Sequence, residues 1–360
     1  MEKSTLKNMI HNNMIHNNMI DNTALIVPAD TGACGHYRLL QQAEMLMTAG
    51  KTVTISSPGR FHGVRQTSTW TQRICTEKML NSVWKFKEVT GSKIVIDYDD
   101  LIWKWRGETI PDSIPDSIPE YNWTKSRIDL DGNTNAMRDL LQYVADDVTV
   151  STDTLKKTIS DFYPADHIHV IPNMLTYREW GFKPRAYPQE RTFYFAGSET
   201  HFSNEKKMTG DFSENLARYL QNQKVITKHI VPWFLNPIKS YKACPLNRYA
   251  REFYDETKDA KFIIAPLSDN LFNRCKSHLK YLESCAVGRV CLVSSFDGGP
   301  YEGAHEYQKI PVDATQKTIE FIVERAEANY VEILKHQYWY LNHFWLDNNL
   351  KQIGDILGLS

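Results

Sequence analysis

Apolar runs with the length of a buried strand alternate with amphipathic segments of helical period over most of the chain. In the first half this pattern predicts strands at Thr23–Ala29, Lys51–Ser57, Ser92–Tyr98, 147–153 and 168–173, separated by helices at Gly35–Gly50, Glu77–Val89 and Asn135–Ala145. Strands that alternate with helices form a parallel sheet that is covered on both faces. The first half is therefore predicted to be a doubly wound α/β domain.

The same pattern begins again after Glu179–Glu190, a stretch rich in proline and aromatic residues. Strands are predicted at Arg191–Ser198, 224–231, Ala260–Leu267 and 290–295, with helices at Phe212–Gln223 and 272–288. Gln316–Leu357 has a helical pattern, and its aromatic run "HQYWYLNHFW" is predicted to pack against the protein rather than to bind a cofactor. The second half is therefore predicted to be another doubly wound domain.

The predicted domain organisation has five parts. They are a poorly ordered leader over 1–22, a first domain over 23–178, a linker over 179–190, a second domain over 191–335 and a C-terminal helical segment over 336–360. Two short tandem repeats, "MIHNNMIHNNMIDN" in the leader and "IPDSIPDSIP" at Ile110–Pro119, are too short to form a solenoid. Ligands of doubly wound sheets bind beyond the carboxyl ends of the strands, so the cleft between the domains is the predicted site.

Composition narrows the class of protein without naming a ligand. The chain has 360 residues, of which 42% are hydrophobic and 24% charged, and a formal net charge of −1. Such a balance is typical of a globular protein and does not by itself call for a nucleic acid or an anionic membrane. None of the six cysteines forms a CxxC pair, and no apolar run has the length of a membrane span or a signal peptide. We therefore expect a cytoplasmic protein with reduced thiols and no membrane span.

The stretch "FNRCKSHLKYLESCAVGRVCLVSS" contains the strongest candidate chemistry. On one continuous helix Lys276, Lys280 and Glu283 lie within about 60° of one another. The helix is predicted to end at Gly288, before a buried strand. One interpretation is a solvated face with a weak ion pair. The other is a group of two cations and a carboxylate that holds a ligand at the start of the helix.

Four stretches, taken in their order and spacing, resemble the GT-B glycosyltransferases. They are "GACGHYRLLQQAEMLMTAGKTVTI", "VIDYDDLIW", "HVIPNML", and "FAGSETH" together with "APLSDNLFNRCKSHLKYLESCAVGRV". These motifs look most like glycosyltransferase family four and related phage enzymes, and the resemblance covers Thr23 to the C-terminus. It implies an α/β GT-B fold, in which two Rossmann-like domains face a cleft and a helical segment follows at the C-terminus.

The resemblance places a nucleotide-sugar donor, with UDP-sugar as the expected class, on the second domain. The diphosphate of the donor is bound by backbone amides that approach it closely, by hydroxyl groups and by cations. The ribose hydroxyls are bound by a carboxylate. The implied donor-binding residues are Gly197, Ser198, Thr200, His201, Lys276, Ser277, Lys280 and Glu283. The family usually has a second glutamate seven residues before Glu283, where this chain has Lys276, which leaves the choice of sugar open. The nucleotide-sugar is a co-substrate, and no separate cofactor is expected.

The resemblance also implies a retaining transfer without a general base on the enzyme. The leaving phosphate takes the acceptor proton while cations stabilise its developing charge, a role assigned here to Lys276 and Lys280. Asp99 and Asp100 are predicted to orient the acceptor hydroxyl, with capping of a helix that begins at Leu101 as an equal alternative. The "DYDD" motif also resembles the metal site of the GT-A fold. Because a GT-B frame puts it in the domain away from the diphosphate, no metal is predicted.

The acceptor is expected on the first domain, where basic residues outnumber acidic ones over Arg60–Lys93 and two tryptophans lie among them. Basic and aromatic residues together favour DNA, and a hydroxymethylated pyrimidine in phage DNA is the leading hypothesis. The predicted acceptor-side residues are Gly35, His36, Arg38, Arg65, Arg73 and Trp70. A solvated helix face with core tryptophans and a structural role for His36 stay open as alternatives. So do a polysaccharide, lipid or protein acceptor, and an inactive nucleotide-sugar-binding module.

Overall fold

The computed structural model describes residues 20–61, 66–74, 76–101, 130–161, 163–183, 185–197, 211–229, 231–232, 234–242 and 244–359, and the side chains of all of these except 20–21 and 130–136. Several predictions fall on residues outside these ranges. They concern most of the leader, the repeat at Ile110–Pro119 and the site residues Arg65, Ser198, Thr200 and His201.

The first half forms a sheet of six parallel strands in the order β2-β1-β3-β4-β5-β6, as the alternating pattern predicts. Helix α1 combines a turn at Ala33–Gly35, a π-helical turn at His36–Leu40 and an α-helix at Gln41–Thr48. The other elements are β1 Ile20–Val27, β2 Thr52–Ile55, β3 Gln66–Gln72, α2 Glu77–Thr90, β4 Lys93–Tyr98, α3 Leu130–Tyr143, β5 Asp147–Val150, α4 Asp153–Ile159 and β6 Ile168–Val170.

The second half forms another six-stranded parallel sheet, in the order β12-β11-β10-β7-β8-β9. Its elements are α5 Tyr177–Trp180, β7 Thr192–Gly197, α6 Glu214–Gln221, β8 Lys224–His229, β9 Lys239–Tyr241, α7 Leu246–Glu256, β10 Phe262–Ala265, α8 Leu271–Arg274, α9 Leu279–Ala286, β11 Val290–Ser295 and β12 Lys309–Pro311, followed by α10 Gln316–Ala328, α11 Tyr330–Asn342 and α12 Leu350–Leu357. Read from β9, this is the strand order of the Rossmann fold.

The two strand orders locate the crevices in which ligands of such sheets bind. In the first sheet the order reverses between β1 and β3, and in the second between β7 and β10. Helices leave opposite faces of the sheet at such a point, so a crevice opens beyond the carboxyl ends of the two strands. The loops that follow these four strands are therefore the places to look for a site.

Strand β3 was not predicted from the sequence, and it changes the interpretation of the basic stretch. Its sequence "QTSTWTQ" lacks an apolar run, yet it lies between β1 and β4 and six of its seven residues are buried. Trp70 is fully buried, and its Nε1 donates to Thr149 Oγ1 at 3.0 Å. The predicted acceptor-side role of Trp70 is therefore wrong, because a core side chain bonded inside the sheet does not contact an acceptor.

The predicted helix over 272–288 is interrupted. Helix α8 ends at Arg274 and α9 begins at Leu279, because the intervening Cys275 is buried in the apolar core of the first half. Lys276 therefore precedes α9 and does not share a helical stripe with Lys280 and Glu283, which corrects that geometric expectation. Gly288 has φ +66°, the left-handed conformation expected after a helix end.

The C-terminal helix returns to the first half of the molecule. Ile353, Ile356 and Leu357 of α12 pack in the same core cluster as residues of β1. The helix is also held by its last carbonyl groups, which accept hydrogen bonds from Ser68 Oγ at 2.8 Å and Lys93 Nζ at 2.7 Å. Within the described part of the chain, none of the helices has the length and apolar character that a bilayer crossing requires.

Candidate functional site

A glycine-rich loop follows β1 and turns the chain into α1. Asp30 Oδ1 accepts hydrogen bonds from the backbone N–H groups of Gly32 at 2.7 Å and Gly35 at 3.2 Å. A Cβ atom at position 35 would collide with the Asp30 carbonyl oxygen, so this close turn requires glycine. His36 follows, and its Nε2 lies 3.0 Å from Glu179 Oε2, so the imidazole contacts the start of the second half.

Arg38 is fully buried rather than exposed on the acceptor side, which corrects its predicted role. Its Nε and Nη2 donate to the two oxygens of Asp97 at 3.1 and 2.6 Å. Its Nη1 donates to the carbonyl of Ile171 and to Asn173 Oδ1. All of these bonds lie inside the protein, since Arg38 and Asp97 are both 0% exposed. Arg38 is a structural ion-pair partner that joins α1 to β4 and to the segment after β6.

Asn173 of the "IPN" segment connects the two halves. While its Oδ1 accepts from Arg38, its Nδ2 donates to Ser277 Oγ at 2.7 Å. Its carbonyl oxygen lies 3.3 Å from His278 Nε2, and His278 Nδ1 lies 3.1 Å from Tyr340 OH. Burial lowers the pKa of His278 to about 4, so the imidazole is neutral at neutral pH. The loop that carries Ser277 is thus placed by the first half as well as by its own sheet.

The carboxyl end of β4 carries an acidic pair that Arg73 holds. Arg73 donates to Asp99 Oδ1 at 2.6 Å, to Asp99 Oδ2 at 2.9 Å and to Asp100 Oδ2 at 2.8 Å. Its Nη2 also lies 3.0 Å from Cys34 Sγ. The Arg73 side chain is only 12% exposed. The prediction that Arg73 presents its charge to an acceptor on the surface is therefore wrong, because the side chain is largely buried and its charge is paired with Asp99 and Asp100.

The two aspartates have different electrostatic environments. Burial tends to raise the pKa of Asp99, but Arg73 outweighs this and holds that pKa below its ordinary value. Burial and the neighbouring Asp99 raise the pKa of Asp100, against Arg73 and Lys276. Asp100 is also the more accessible, with 29% of its side chain exposed against 7% for Asp99. Asp100 is therefore the better placed of the two to meet a ligand, opposite Lys276 of the second half.

The sulfur of Cys34 and the carboxylates of Asp99 and Asp100 lie within 4.8 Å of one another, as metal ligands would. Arg73, however, already supplies the positive charge at their centre and bonds to all three side chains. A metal ion would have to displace this guanidinium.

The capping alternative for the aspartates concerns the segment after Leu101, which lies outside the described residues.

Glu283 lies on α9 with both carboxylate oxygens facing tyrosine hydroxyls. Tyr37 OH donates to Oε1 at 2.9 Å and Tyr249 OH to Oε2 at 3.4 Å. Burial raises the pKa of Glu283 to about 7, although both tyrosines and Lys280 favour the ionised form. Lys280 Nζ lies 5.4 Å from the centre of the Phe195 ring on β7. Lys280 is thus brought close to the end of β7, whose last residue is Gly197.

Several site residues were missed by sequence reasoning. Tyr37 stands in the quoted "GHYRLL" stretch, but only the folded chain brings it to Glu283. Tyr249 lies on α7 and the buried Lys228 lies on β8. Lys228 Nζ donates to the two carboxylate oxygens of Glu256 at 2.8 and 3.0 Å. Helix α7 was not predicted, although the amphipathic sequence "LNRYAREFYDE" carries a usable signal.

No protein-family model and no curated protein sequence matches this chain. Solved structures match it over nearly its whole length. A glycosyltransferase from Rickettsia africae has a TM-score of 0.58 at 12% identity and covers 95% of this chain and 100% of its own. Anabaena HepE in complex with UDP-glucose has a TM-score of 0.58 at 10% identity, covering 94% of this chain and 100% of its own. The lipopolysaccharide outer core galactosyltransferase WaaB has a TM-score of 0.51 at 13% identity, covering 93% of this chain and 98% of its own.

At these identities the likeness concerns the fold. With its two sheets of parallel strands, the chain matches the GT-B fold, and the predicted fold class is confirmed.

Proposed function

We propose that this protein is a glycosyltransferase that moves a sugar from a nucleotide-sugar to an acceptor hydroxyl. The observation that supports the proposal is that Lys280 Nζ lies 5.4 Å from the ring of Phe195 on β7, one of the two strands that flank the crevice of the second sheet, and that Glu283 follows on the same helix. In the first half, Arg73 holds Asp100, which is close enough to Lys276 for that charge to lower its pKa. Ligands of wound sheets bind in this crevice. Anabaena HepE, which shares the fold, was solved in complex with UDP-glucose, and this supports a UDP-sugar as the donor class.

Each donor group has a chemical counterpart in the second half. We assign the ribose hydroxyls to the Glu283 carboxylate and the diphosphate to Lys276, Lys280 and Ser277. Gly197 lets the backbone approach the diphosphate, because it has no side chain. Ser198, Thr200 and His201 keep their predicted roles beside it as part of the proposal. The nucleotide-sugar is the only small molecule that this assignment requires, and it acts as a co-substrate.

For the chemistry we propose transfer with retention of the anomeric configuration. The bond from the anomeric carbon to the phosphate oxygen breaks, the bond to the acceptor oxygen forms, and the acceptor proton passes to the leaving phosphate. Lys276 and Lys280 stabilise the charge that develops on that phosphate. Asp100 accepts a hydrogen bond from the acceptor hydroxyl, while Arg73 fixes the position of the aspartate pair.

For the acceptor, the hypothesis of a hydroxymethylated pyrimidine in DNA now depends on exposed residues of α2. Trp70 and Arg73 no longer support it. Lys78 and Lys85 are exposed on this helix, and Trp84 between them is 40% exposed. Cations beside an exposed aromatic ring suit a nucleic acid backbone and an unstacked base. Two alternatives remain. The acceptor is a polysaccharide, lipid or protein, or the chain is an inactive module that only binds a nucleotide-sugar.

A donor and acceptor screen tests the proposal. The protein is incubated with UDP-sugars, with and without hydroxymethylcytosine DNA, hydroxymethyluracil DNA or a glycan or lipid primer. We expect slow release of UDP without acceptor, transfer to one acceptor class, a retained anomeric configuration by NMR, and turnover that persists in EDTA. Binding without any release of UDP would instead identify the inactive module. Transfer to a glycan or lipid but to no DNA would end the DNA hypothesis, whereas an inverted product would reject the retaining mechanism alone.

Donor binding is expected to weaken in acid, because the Glu283 pKa is about 7. Above that pH the carboxylate accepts a hydrogen bond at each oxygen, and below it the protonated oxygen loses this capacity. We expect the Kd for UDP, measured by calorimetry between pH 5 and 8, to rise by up to about tenfold for each pH unit below 7. UDP itself gains a proton in this range, so Glu283→Gln serves as the control. A constant ratio of the two Kd values across pH would contradict the assignment of Glu283.

A further inference from the structure

Each oxygen of the Glu283 carboxylate accepts a hydrogen bond from a tyrosine hydroxyl group. Tyr37 OH is 2.9 Å from one oxygen and Tyr249 OH is 3.4 Å from the other. The residues Tyr37 and Glu283 are only 3% and 4% exposed. Two hydroxyl donors on one carboxylate are the arrangement that the hydroxyls of a ribose form with an acidic residue in a nucleotide-binding fold. In this structure the two tyrosines provide that arrangement.

The two tyrosines belong to different halves of the molecule. Tyr249 lies on α7, in the same half as Glu283, and its ring packs 5.7 Å from that of Phe253 and 6.1 Å from that of Trp180. Tyr37 lies on α1 of the first half, yet its side chain is buried in the apolar cluster that contains Tyr281 and Leu282 of α9. Tyr37 is therefore a side chain of one half inserted into the other.

Tyr37 also stands on the π-helical turn His36–Leu40. Single π-helical turns inside α-helices are rare, and they are frequent at functional sites. The turns on both sides of it, Ala33–Gly35 and Gln41–Thr48, are α-helical. The backbone under Tyr37 thus departs from regular geometry at the residue that reaches across to Glu283.

Resting on the donor role proposed for Glu283, we propose that Tyr37 occupies the ribose-hydroxyl position in the donor-free protein and that the donor displaces it. Tyr249 stays with Glu283 and keeps one carboxylate oxygen oriented. The bond that joins α1 to α9 therefore breaks when the donor binds, so occupation of the donor site loosens this contact between the two halves. Tyr37 is in this sense an internal competitor of the donor.

The test compares wild-type protein with Tyr37→Phe, which removes the hydroxyl and keeps the ring. The probes are UDP and 2′,3′-dideoxy-UDP, which lacks the ribose hydroxyls, and the Kd of each is measured by calorimetry at pH 8. We expect Tyr37→Phe to bind UDP about three- to tenfold more tightly, the range of one hydrogen bond, and to bind dideoxy-UDP as the wild type does. Tyr98→Phe is the matched control, because Tyr98 OH is buried and donates at 2.9 Å to the Ile74 carbonyl, away from Glu283.

The other outcomes overturn the inference in distinguishable ways. Weaker UDP binding by Tyr37→Phe would mean that Tyr37 positions Glu283 for the donor instead of competing with it. Unchanged UDP binding, or an equal gain for both nucleotides, would also overturn it, since competition requires a gain confined to the ribose hydroxyls. If the wild type binds neither nucleotide, nor any other nucleoside diphosphate, the proposed function fails and the inference fails with it. Thermal unfolding of each variant establishes that the comparison is made on folded protein.

Discussion

Replacing Glu283 with alanine is expected to weaken UDP binding by about 30- to 1,000-fold, because two charge-assisted hydrogen bonds to the ribose are lost, roughly 2–4 kcal/mol. The loss is large because Glu283 is buried beside Lys280, where the attraction between charges is screened less than in water. The measurement is the Kd for UDP by calorimetry at pH 8, where the wild-type carboxylate is ionised.

The matched control is Glu324→Ala on α10, which removes an exposed glutamate from the same half of the chain. We expect this variant to bind UDP as the wild type does. Circular dichroism and thermal unfolding of Glu283→Ala check that the fold persists without the carboxylate. Normal UDP affinity in a folded Glu283→Ala protein would remove Glu283 from the donor site and return it to a structural role, bonded to Tyr37 and Tyr249.

Replacing Arg38 with methionine is expected to reduce the free energy of unfolding by about 3–5 kcal/mol, because the variant leaves Asp97 charged and buried without its partner. The loss also removes the donors to Asn173 Oδ1 and to the carbonyl of Ile171. In a chain of this size we expect the melting temperature to fall by about 4–7 °C. Urea denaturation followed by tryptophan fluorescence measures the change in free energy.

Arg178→Met is the control for this change, because the Arg178 side chain is 79% exposed and its ion pair with Glu44 spans 3.9 Å. Exposed pairs of this kind contribute little, so its stability should match the wild type within about 0.5–1 kcal/mol. The double variant Arg38→Met/Asp97→Asn should recover part of the loss, since no charge is then left buried without a partner. A stable Arg38→Met single variant would show that Arg38 is not the structural pair described here.

The positions of Arg38, Arg73 and Trp70 illustrate why three of the acceptor-side predictions failed. A basic residue in a sequence is expected on the surface, because burying a charge without a partner costs too much. The partners of Arg38 and Arg73 are Asp97 and Asp99, which stand 59 and 26 residues further along the chain. Only the pairing of β3 with β4 brings Arg73 to Asp99, and β3 has no apolar run by which to predict it. The support for a DNA acceptor was reduced by the same facts.

The second half was predicted more closely. Its strands β7, β8, β10 and β11 are short apolar runs, which sequence patterns detect well, while the donor roles of Glu283, Lys280 and Gly197 stay predictions. Lys276 was misplaced on the helix. The helix is interrupted at Cys275, because that side chain is buried in the core of the first half. The periodicity of a local sequence contains no information about such a long-range contact.

The sequence by itself therefore determined that there are two wound sheets, their order along the chain, most of their strands and the residue types at the ends of those strands. These are local properties, set by the spacing of apolar side chains and by glycine at tight turns. The tertiary structure alone decided which charges are buried in pairs, which aspartate of the Asp99–Asp100 pair is the more exposed and which tyrosines reach Glu283. Those outcomes depend on contacts such as Tyr37 with Glu283, 246 residues apart, whose free energy comes from packing and desolvation in the folded protein.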